Sequence, residues 1–239
     1  MKKIVLIAAM LFILVLKNSA QRNSYVDYER KGYLGFGIGT AIPFAAFASK
    51  DPSDPESGFA NIGGCIQIEF AYKFSERFGI ASLAFGTINP FDENQLEYAG
   101  ADISYQINSD PWKCIGFMAG GYYTSALTPA AFEMRLMVGY VKAISPADHH
   151  SFYKAEINDY IFAYTEESRA GSITGDLGLG VKVKLSEIIS FISHMDFWVA
   201  LPRFVNQKTY ENGLLHYFPT YDQPINNMNL TLGIAVNIK

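Results

Sequence analysis

Ionisable side chains recur at alternate positions inside apolar stretches of this 239-residue sequence. Residues of these types can form ion pairs, relay protons or act as acid–base pairs, and charges in apolar surroundings must be paired. His194, with Ser190, Ser193 or Asp196 close in sequence, has the residue types of a hydrolytic triad. The full set contains four acids, four bases and one histidine: Glu69, Lys73, Glu133, Arg135, Asp176, Lys182, Lys184, His194 and Asp196.

The final stretch, 228–239, indicates which kind of element carries these residues. Its even positions are all apolar, and its odd positions are small or polar. Successive side chains of a strand point to opposite faces, so this pattern predicts a strand with one apolar face and one polar face. In a transmembrane barrel the apolar face meets lipid and the polar face lines the lumen.

We predict eight strands, and all but one of them follow this pattern: 32–42, 59–74, 78–88, 112–127, 132–142, 172–185, 189–201 and 228–239. In 78–88 the alternation is too weak to assign faces. The connections alternate between long and short, as in outer-membrane barrels, where external loops are long and periplasmic turns are short. We therefore predict an all-β fold, an eight-stranded antiparallel up-and-down transmembrane β-barrel. The alternative is ten strands, with additions at 97–107 and 152–164.

The first twenty residues have the organisation of a secretory signal peptide. Lys2 and Lys3 precede an apolar run at 4–16, which is shorter than the roughly 20 residues of a spanning helix. Cleavage is expected after Ala20, and Gln21 in place of a cysteine argues against a lipoprotein anchor. An uncleaved anchor is the alternative. The predicted organisation is a signal peptide at 1–20 and an outer-membrane barrel domain at 21–239, integral to the cell outer membrane.

Composition supports a membrane location and excludes some functions. Aromatic residues make up 15% of the chain and charged residues only 18%, against roughly 25% in soluble domains. Aromatic girdles at both membrane interfaces account for such an excess of rings. A net charge of −4 with no basic patch argues against a nucleic-acid partner.

The two cysteines fall on predicted strands that a third strand separates. Cys65 and Cys114 would then lie roughly 9–10 Å apart. A disulfide needs Cα atoms within about 7 Å, so free thiols are favoured over a disulfide. Neither a CxxC motif nor a cluster with metal-ligand spacing is present, and no cofactor is expected.

The alternation places all nine ionisable residues in the lumen, because a charge on the lipid face costs about 2–4 kcal/mol at the membrane midplane. Side chains fill the interior of an eight-stranded barrel, so we expect a structural network of ion pairs. Glu133 and Arg135 are expected to pair with groups among Lys182, Lys184 and Asp176. A proton or ion path through the same residues is the alternative.

A catalytic role for His194 is not favoured. Asp196 shares its strand face but lies about 7 Å away, and Ser193 points to the opposite face. Asp148, His149 and His150 could contact a metal, but adjacent histidines on an extended segment diverge and a third ligand is not specified.

The long connections are the candidate contact regions for a protein partner or an external ligand, and several are rich in tyrosine. Tyrosine combines a large contact area with a polar tip. Binding commonly lies on variable loops that a rigid scaffold holds. The four predicted loops are 43–58, 89–111, 144–170 and 202–227.

Four tracts carry a resemblance to a known family: KGYLGFGIG at 31–39, FAYKFSERFGIA at 70–81, FEMRLMVGY at 132–140 and DLGLGVKVKLS at 176–186. They resemble the outer-membrane β-barrel domain proteins of Bacteroidetes-type bacteria, including the PorT-like group and small OmpA/OmpX-like barrels. The resemblance covers nearly all of the mature chain and implies the architecture without transferring catalytic residues.

Together these observations predict an outer-membrane barrel with a structural, surface-binding or envelope-assembly role and no catalysis. Outer-membrane lipid is its expected surrounding. One alternative is a small channel for ions or polar solutes. Another is a lipid-modifying outer-membrane enzyme.

Overall fold

The computed structural model describes residues 31–94, 96, 98–99, 103–127, 130–154, 159–217 and 219–238. The predicted signal peptide and its cleavage site lie outside the described residues. In chain order the strands are β1 Gly32–Pro43, β2 Gly63–Lys73, β3 Phe78–Asn89, β4 Tyr98–Ala99, β5 Ile103–Ser109, β6 Trp112–Leu127, β7 Ala130–Ile144, β8 Asp148–Lys154, β9 Asp159–Thr165, β10 Arg169–Lys184, β11 Ile189–Ala200, β12 Arg203–Phe204, β13 Lys208–Glu211, β14 Leu214–Tyr217, β15 Tyr221–Asp222 and β16 Ile225–Ile238.

Eight of these strands close into one antiparallel barrel in the order β1–β16–β11–β10–β7–β6–β3–β2. The barrel closes between the first and last strands, where Gly32 pairs with Ile238 and Ile38 with Leu232. The eight-stranded prediction is confirmed. The ten-stranded alternative is wrong, because the additional strands in 97–107 and 152–164 pair in a separate sheet.

Side chains alternate strictly between the two faces of the barrel wall. On β1 the side chains of Phe36 and Ile38 are 55% and 58% exposed, while the intervening Gly37 is buried. The exposed face forms an apolar belt around the barrel, as lipid contact requires. In β3 the lumen receives Leu83 and Phe85 and the outside receives Ile80. Large apolar residues therefore occupy both faces of β3, which explains its weak alternation.

A second sheet extends one side of the barrel wall beyond the end that carries the long loops. It contains six strands in the order β14–β13–β9–β8–β5–β4, and we call it the external sheet. The chain runs from β5 directly into β6, from β7 into β8 and from β9 into β10. Backbone hydrogen bonds cross each junction, for example from Asp110 N to Ala147 O at 2.9 Å and from Ser145 N to Ser168 O at 2.8 Å.

The opposite side of the same end is covered by the connection between β1 and β2. It contains a short 3-10 helix, Ala45–Ala48, whose Phe47 is fully buried. Among the described residues, no helix is both long and apolar enough to cross a membrane.

Candidate functional site

Arg135 lies at the centre of the lumen and holds two carboxylates. Its guanidinium donates to Glu69 through Nη1, and to both oxygens of Asp196 through Nη2 at 2.7 and 2.9 Å. All three side chains are about 1% exposed or less. Removal of these charges from water is costly, and their short contacts with one another offset that cost.

Glu133 forms a second cluster beside the first. It accepts hydrogen bonds from the hydroxyls of Tyr33 at 2.9 Å and Tyr122 at 2.6 Å. Lys182 Nζ lies 3.6 Å from the carboxylate and 4.4 Å from the centre of the Tyr33 ring. His194 joins the two clusters, because its ring nitrogens lie 3.1 Å from Glu133 and 3.2 Å from Glu69.

The ion pairs observed in the lumen overlap in part with the expected ones. Lys182 approaches Glu133 as predicted, but the observed carboxylate partners of Arg135 are Glu69 and Asp196. Strand register explains the difference. Arg135 is paired with Gly178 on β10, and Gly178 is paired with Asp196 on β11. The missing side chain of Gly178 lets Arg135 reach across β10.

The remaining predicted lumenal residues lie at different depths. Asp176 is buried, and its two carboxylate oxygens have no hydrogen-bond partner among the described residues. Lys73 is half-buried near the end of β2, and Lys184 is exposed at the end of β10. The nine residues therefore do not form one enclosed cluster. The acids lie in the enclosed interior, and the lysines lie towards the end with short turns.

Glycines on the lumenal face leave room for the large ionisable side chains. A Cβ at Gly180 would collide with the His194 ring, and a Cβ at Gly178 would collide with Asp196 and lie 3.0 Å from Arg135 Nε. Alternating small and large residues is how a narrow barrel is filled. The glycines that alternate with larger residues in the sequence therefore provide the space that the charge network occupies.

Aromatic side chains close the loop end of the lumen. Trp112 contacts Phe47 with ring centroids 5.7 Å apart and Phe204 at 6.0 Å, and its Nε1 donates to Gly58 O at 2.8 Å. Tyr221 stacks on Phe204 at 5.3 Å. We call these four rings the mouth plug. It separates the ionisable interior from the external sheet.

Both cysteines are buried free thiols, as the sequence predicted. They lie on β2 and β6, which β3 separates in the barrel. The possible metal ligands Asp148, His149 and His150 do not converge. No group of three histidine, cysteine or acidic residues that could hold a metal occurs in the described part of the chain.

The open face of the external sheet contains a recess of about 800 Å³. Across its floor the ring of Tyr164 lies 4.4 Å from that of His149 and 6.4 Å from that of Tyr210. These residues are directly paired across β8, β9 and β13. Around the row are Gln106, Asn108, Ser151, Phe162 and Asn212, with Glu93 at one side.

Asp148 lies at the junction between the barrel and the external sheet, outside the membrane-spanning strands. Burial raises the pKa of its carboxyl group to about 6, and the nearby carboxylates of Asp110 and Glu93 act in the same direction.

Two parts of these sites were missed in the sequence. Tyr33 shares the strand parity of the lumenal residues, so the alternation could have placed it there. The hairpin β13–β14 was treated as part of one long loop, although Asn212-Gly213 is a strong hairpin signal. Both turn residues have positive φ angles, 48° and 83°. The pairing of the external strands with one another had no comparable signal.

The fold and these sites define a class, a transmembrane β-barrel of eight strands with a filled polar lumen and an external sheet. No family model matches the chain, and no curated protein matches its sequence.

Several solved outer-membrane proteins are similar in structure. The attachment invasion locus protein Ail of Yersinia pestis is 10% identical, with 88% of this chain and 99% of that chain covered and a TM-score of 0.45. Neisserial surface protein A is 12% identical, with coverage of 87% and 97% and a TM-score of 0.44. OprG of Pseudomonas aeruginosa is 12% identical, with coverage of 87% and 96% and a TM-score of 0.45. Structural similarities at such low sequence identity and TM-score do not support an inference about function.

Proposed function

We propose that this protein is an outer-membrane barrel that holds an external binding surface for a ligand outside the cell. Export through the predicted signal peptide at 1–20 and membership of the Bacteroidetes-type barrels that its motifs resemble are part of this proposal. The barrel acts as a rigid support, and the external sheet carries the recognition. The observation that carries the proposal is the recess of about 800 Å³ on the open face of that sheet.

The state of the lumen argues against the channel alternative. A solute entering from the loop end would have to displace the mouth plug, whose Phe47 and Phe204 are fully buried. Further along the lumen, Trp198 and Phe85 pack with ring centroids 5.1 Å apart. Arg135 and its two carboxylates then fill the next section. An open pathway would require separating buried opposite charges, which is costly.

The surroundings of His194 argue against the enzyme alternative. Its two ring nitrogens face Glu133 and Glu69, and it is 3% exposed. Ser193 lies on the outward face of β11, so it cannot reach the same imidazole. Catalysis also requires access for a substrate, and the clusters around His194 are enclosed.

The external sheet, in contrast, is accessible and held in place. Gln207 is buried at the junction and donates through Nε2 to Ser145 Oγ at 3.3 Å and to Glu166 O at 3.1 Å. Tyr221 of the mouth plug donates to Gln207 Oε1 at 3.3 Å. These bonds connect the last loop, the barrel wall and the plug. A recess on a scaffold fixed in this way is suited to binding.

Binding measurements on the full chain in lipid nanodiscs test the proposal. The probes are labelled neutral oligosaccharides, sulfated oligosaccharides and unstructured peptides, and the blocking variant is Ser151→Trp. Ser151 lies on the recess floor, paired with Gln106 and Phe162 on the neighbouring strands. The matched control is Ser53→Trp, on an exposed part of the β1–β2 connection.

We expect at least one probe class to bind the unmodified protein and Ser53→Trp but not Ser151→Trp. If none of the three classes binds, or if Ser151→Trp binds as well as Ser53→Trp, the recess is not a binding surface. Planar-bilayer recordings on the same preparations are expected to show no steady conductance. A stable open channel would contradict the closed lumen.

A further inference from the structure

The chemical groups that line the recess on the external sheet specify a ligand class more narrowly than the recess itself. This argument rests on the proposed binding function. The polar part of the lining consists mainly of neutral hydrogen-bonding groups, among them the amides of Gln106, Asn108 and Asn212 and the hydroxyls of Ser151 and Tyr164. Each amide both donates and accepts, and each hydroxyl does the same.

We propose that the recess binds a neutral oligosaccharide. A sugar presents many hydroxyl groups, each of which is also both donor and acceptor. A lining rich in amides and hydroxyls can satisfy such a ligand without a net charge on either side. A ligand whose polar groups remained unpaired would lose affinity, because a buried unsatisfied group is costly.

The charges around the recess disfavour anionic ligands. Its lining contains no Lys or Arg among the described residues, whereas phosphate and sulfate groups are usually held by these side chains. The one carboxylate is that of Glu93, which accepts a hydrogen bond from Ser109 N at 2.6 Å. Burial lowers the pKa of His150, and the neighbouring His149 acts in the same direction, which favours the neutral imidazole.

The apolar part of the lining fits the carbon faces of a sugar. Phe162 is 61% exposed at the edge of the recess, so its ring is accessible to a ligand. The stacked row of His149, Tyr164 and Tyr210 fixes three further rings in the floor. Because these rings already restrain one another, little side-chain entropy is lost on binding.

The size and position of the recess favour an oligosaccharide over a peptide. A volume of about 800 Å³ is within the range of ligand sites and accommodates more than one sugar ring. An extended peptide would be expected at a sheet edge, where unpaired backbone groups are available. The recess lies instead on the face of the sheet, across strands whose backbones pair with one another.

The experiment is a binding titration of the nanodisc-embedded full chain against a printed set of neutral, sialylated and sulfated oligosaccharides. Hits are repeated in solution by calorimetry. The test variant is Asn108→Ala, which removes one amide from the recess. The matched control is Asn226→Ala, which removes the same amide from the start of β16, outside the recess. Ser151→Trp and Ser53→Trp serve as the blocked protein and its control.

We expect a neutral oligosaccharide to bind, with affinity lowered about two- to tenfold by Asn108→Ala, unchanged by Asn226→Ala and abolished by Ser151→Trp. If only sulfated or sialylated glycans bind, or only the unstructured peptides of the first experiment, and Ser151→Trp blocks them, the neutral-oligosaccharide assignment is overturned while the binding surface stands. If no probe binds, both proposals fail. Neutral-sugar binding that Asn108→Ala and Ser151→Trp leave unchanged would place the site elsewhere and overturn the assignment.

Discussion

The lumen and the junction between the barrel and the external sheet contain the same kind of ion pair in opposite surroundings. In the lumen, Arg135 is about 1% exposed and contacts two buried carboxylates. At the start of β10, beside the external sheet, Arg169 donates to Glu167 at 2.6 Å, but their side chains are 58% and 38% exposed. Judged by their distances alone, the two ion pairs would be expected to contribute similarly to stability. Solvent makes them different, because water competes for exposed charges and not for enclosed ones.

The largest expected effect comes from breaking the enclosed pair. Arg135→Ala leaves the carboxylates of Glu69 and Asp196 without their cation. Removing one partner of a buried pair costs about 3–5 kcal/mol. We expect the variant to lose the heat resistance of the folded barrel or to fail to assemble. Gel mobility with and without heating, and urea unfolding in lipid, measure this.

The exposed pair provides the matched control. Arg169→Ala removes the same side chain from the beginning of β10 and is expected to cost about 1 kcal/mol or less. The contrast between the two variants tests the comparison directly. Equal unfolding free energies for Arg135→Ala and Arg169→Ala would show that the lumenal network contributes nothing particular to stability.

A second prediction concerns the space around the lumenal charges. Gly180→Ala places a methyl group against the His194 ring, which must then move away from Glu133. Overpacking of this kind costs about 1–3 kcal/mol. On the same strand, a Cβ at Gly175 would have no other atom within 4 Å. Gly175→Ala is therefore expected to be neutral or slightly stabilising. Urea unfolding compares the two, and an equal loss in both would contradict the packing argument.

The sequence was a good guide to the barrel, because a strand in a barrel wall has two chemically distinct sides. Because lipid contacts the outer face and charged groups fill the lumen, apolar and polar residues alternate along each strand. The contrast between outward residues such as Ile38 and inward residues such as Glu69 makes this alternation easy to recognise. Strand bounds changed by only a few residues. The largest change was at the start of β2, where the predicted 59–74 begins at Gly63. Phe59 there has a φ of 49°, which is outside the extended range of a strand, and its ring stacks on Phe91.

The sequence was a poor guide to contacts between strands that are distant along the chain. The partners of Arg135 depend on the register of β7, β10 and β11, and alternation gives faces but not register. The sequences of the external strands mix polar, aromatic and apolar residues without a regular alternation, so these strands lack the contrast that identifies the barrel strands. Its recess depends on residues from five separate segments, which contribute Glu93, Asn108, Ser151, Tyr164 and Tyr210 among others.

The external sheet should also differ from the barrel in its response to pH, through Asp148. Burial raises the pKa of this carboxyl group from its ordinary 3.8 to about 6. The folded sheet therefore binds a proton more tightly than the unfolded segment does. The contribution of Asp148 to stability is therefore largest at low pH and is lost as pH rises from about 4 through about 6, where the buried group ionises beside Asp110 and Glu93.

The smallest expected effect follows from this titration. Between pH 5 and 7 the external sheet should lose about 1 kcal/mol of local stability, and Asp148→Asn should remove that loss. Amide hydrogen exchange of β8 and β9, corrected for intrinsic rates, measures it, with the barrel amides of β1 and β16 as an internal reference. Asp222→Asn, at a partly exposed acid of β15 that pairs with Arg203, is the control and should keep the pH dependence. Protection that rises with pH in the unmodified protein would reverse the sign and remove Asp148 as its cause. Equal changes in the amide protection of β8 and β1 would mean that the external sheet and the barrel unfold together. The junction would then be as stable as the barrel wall.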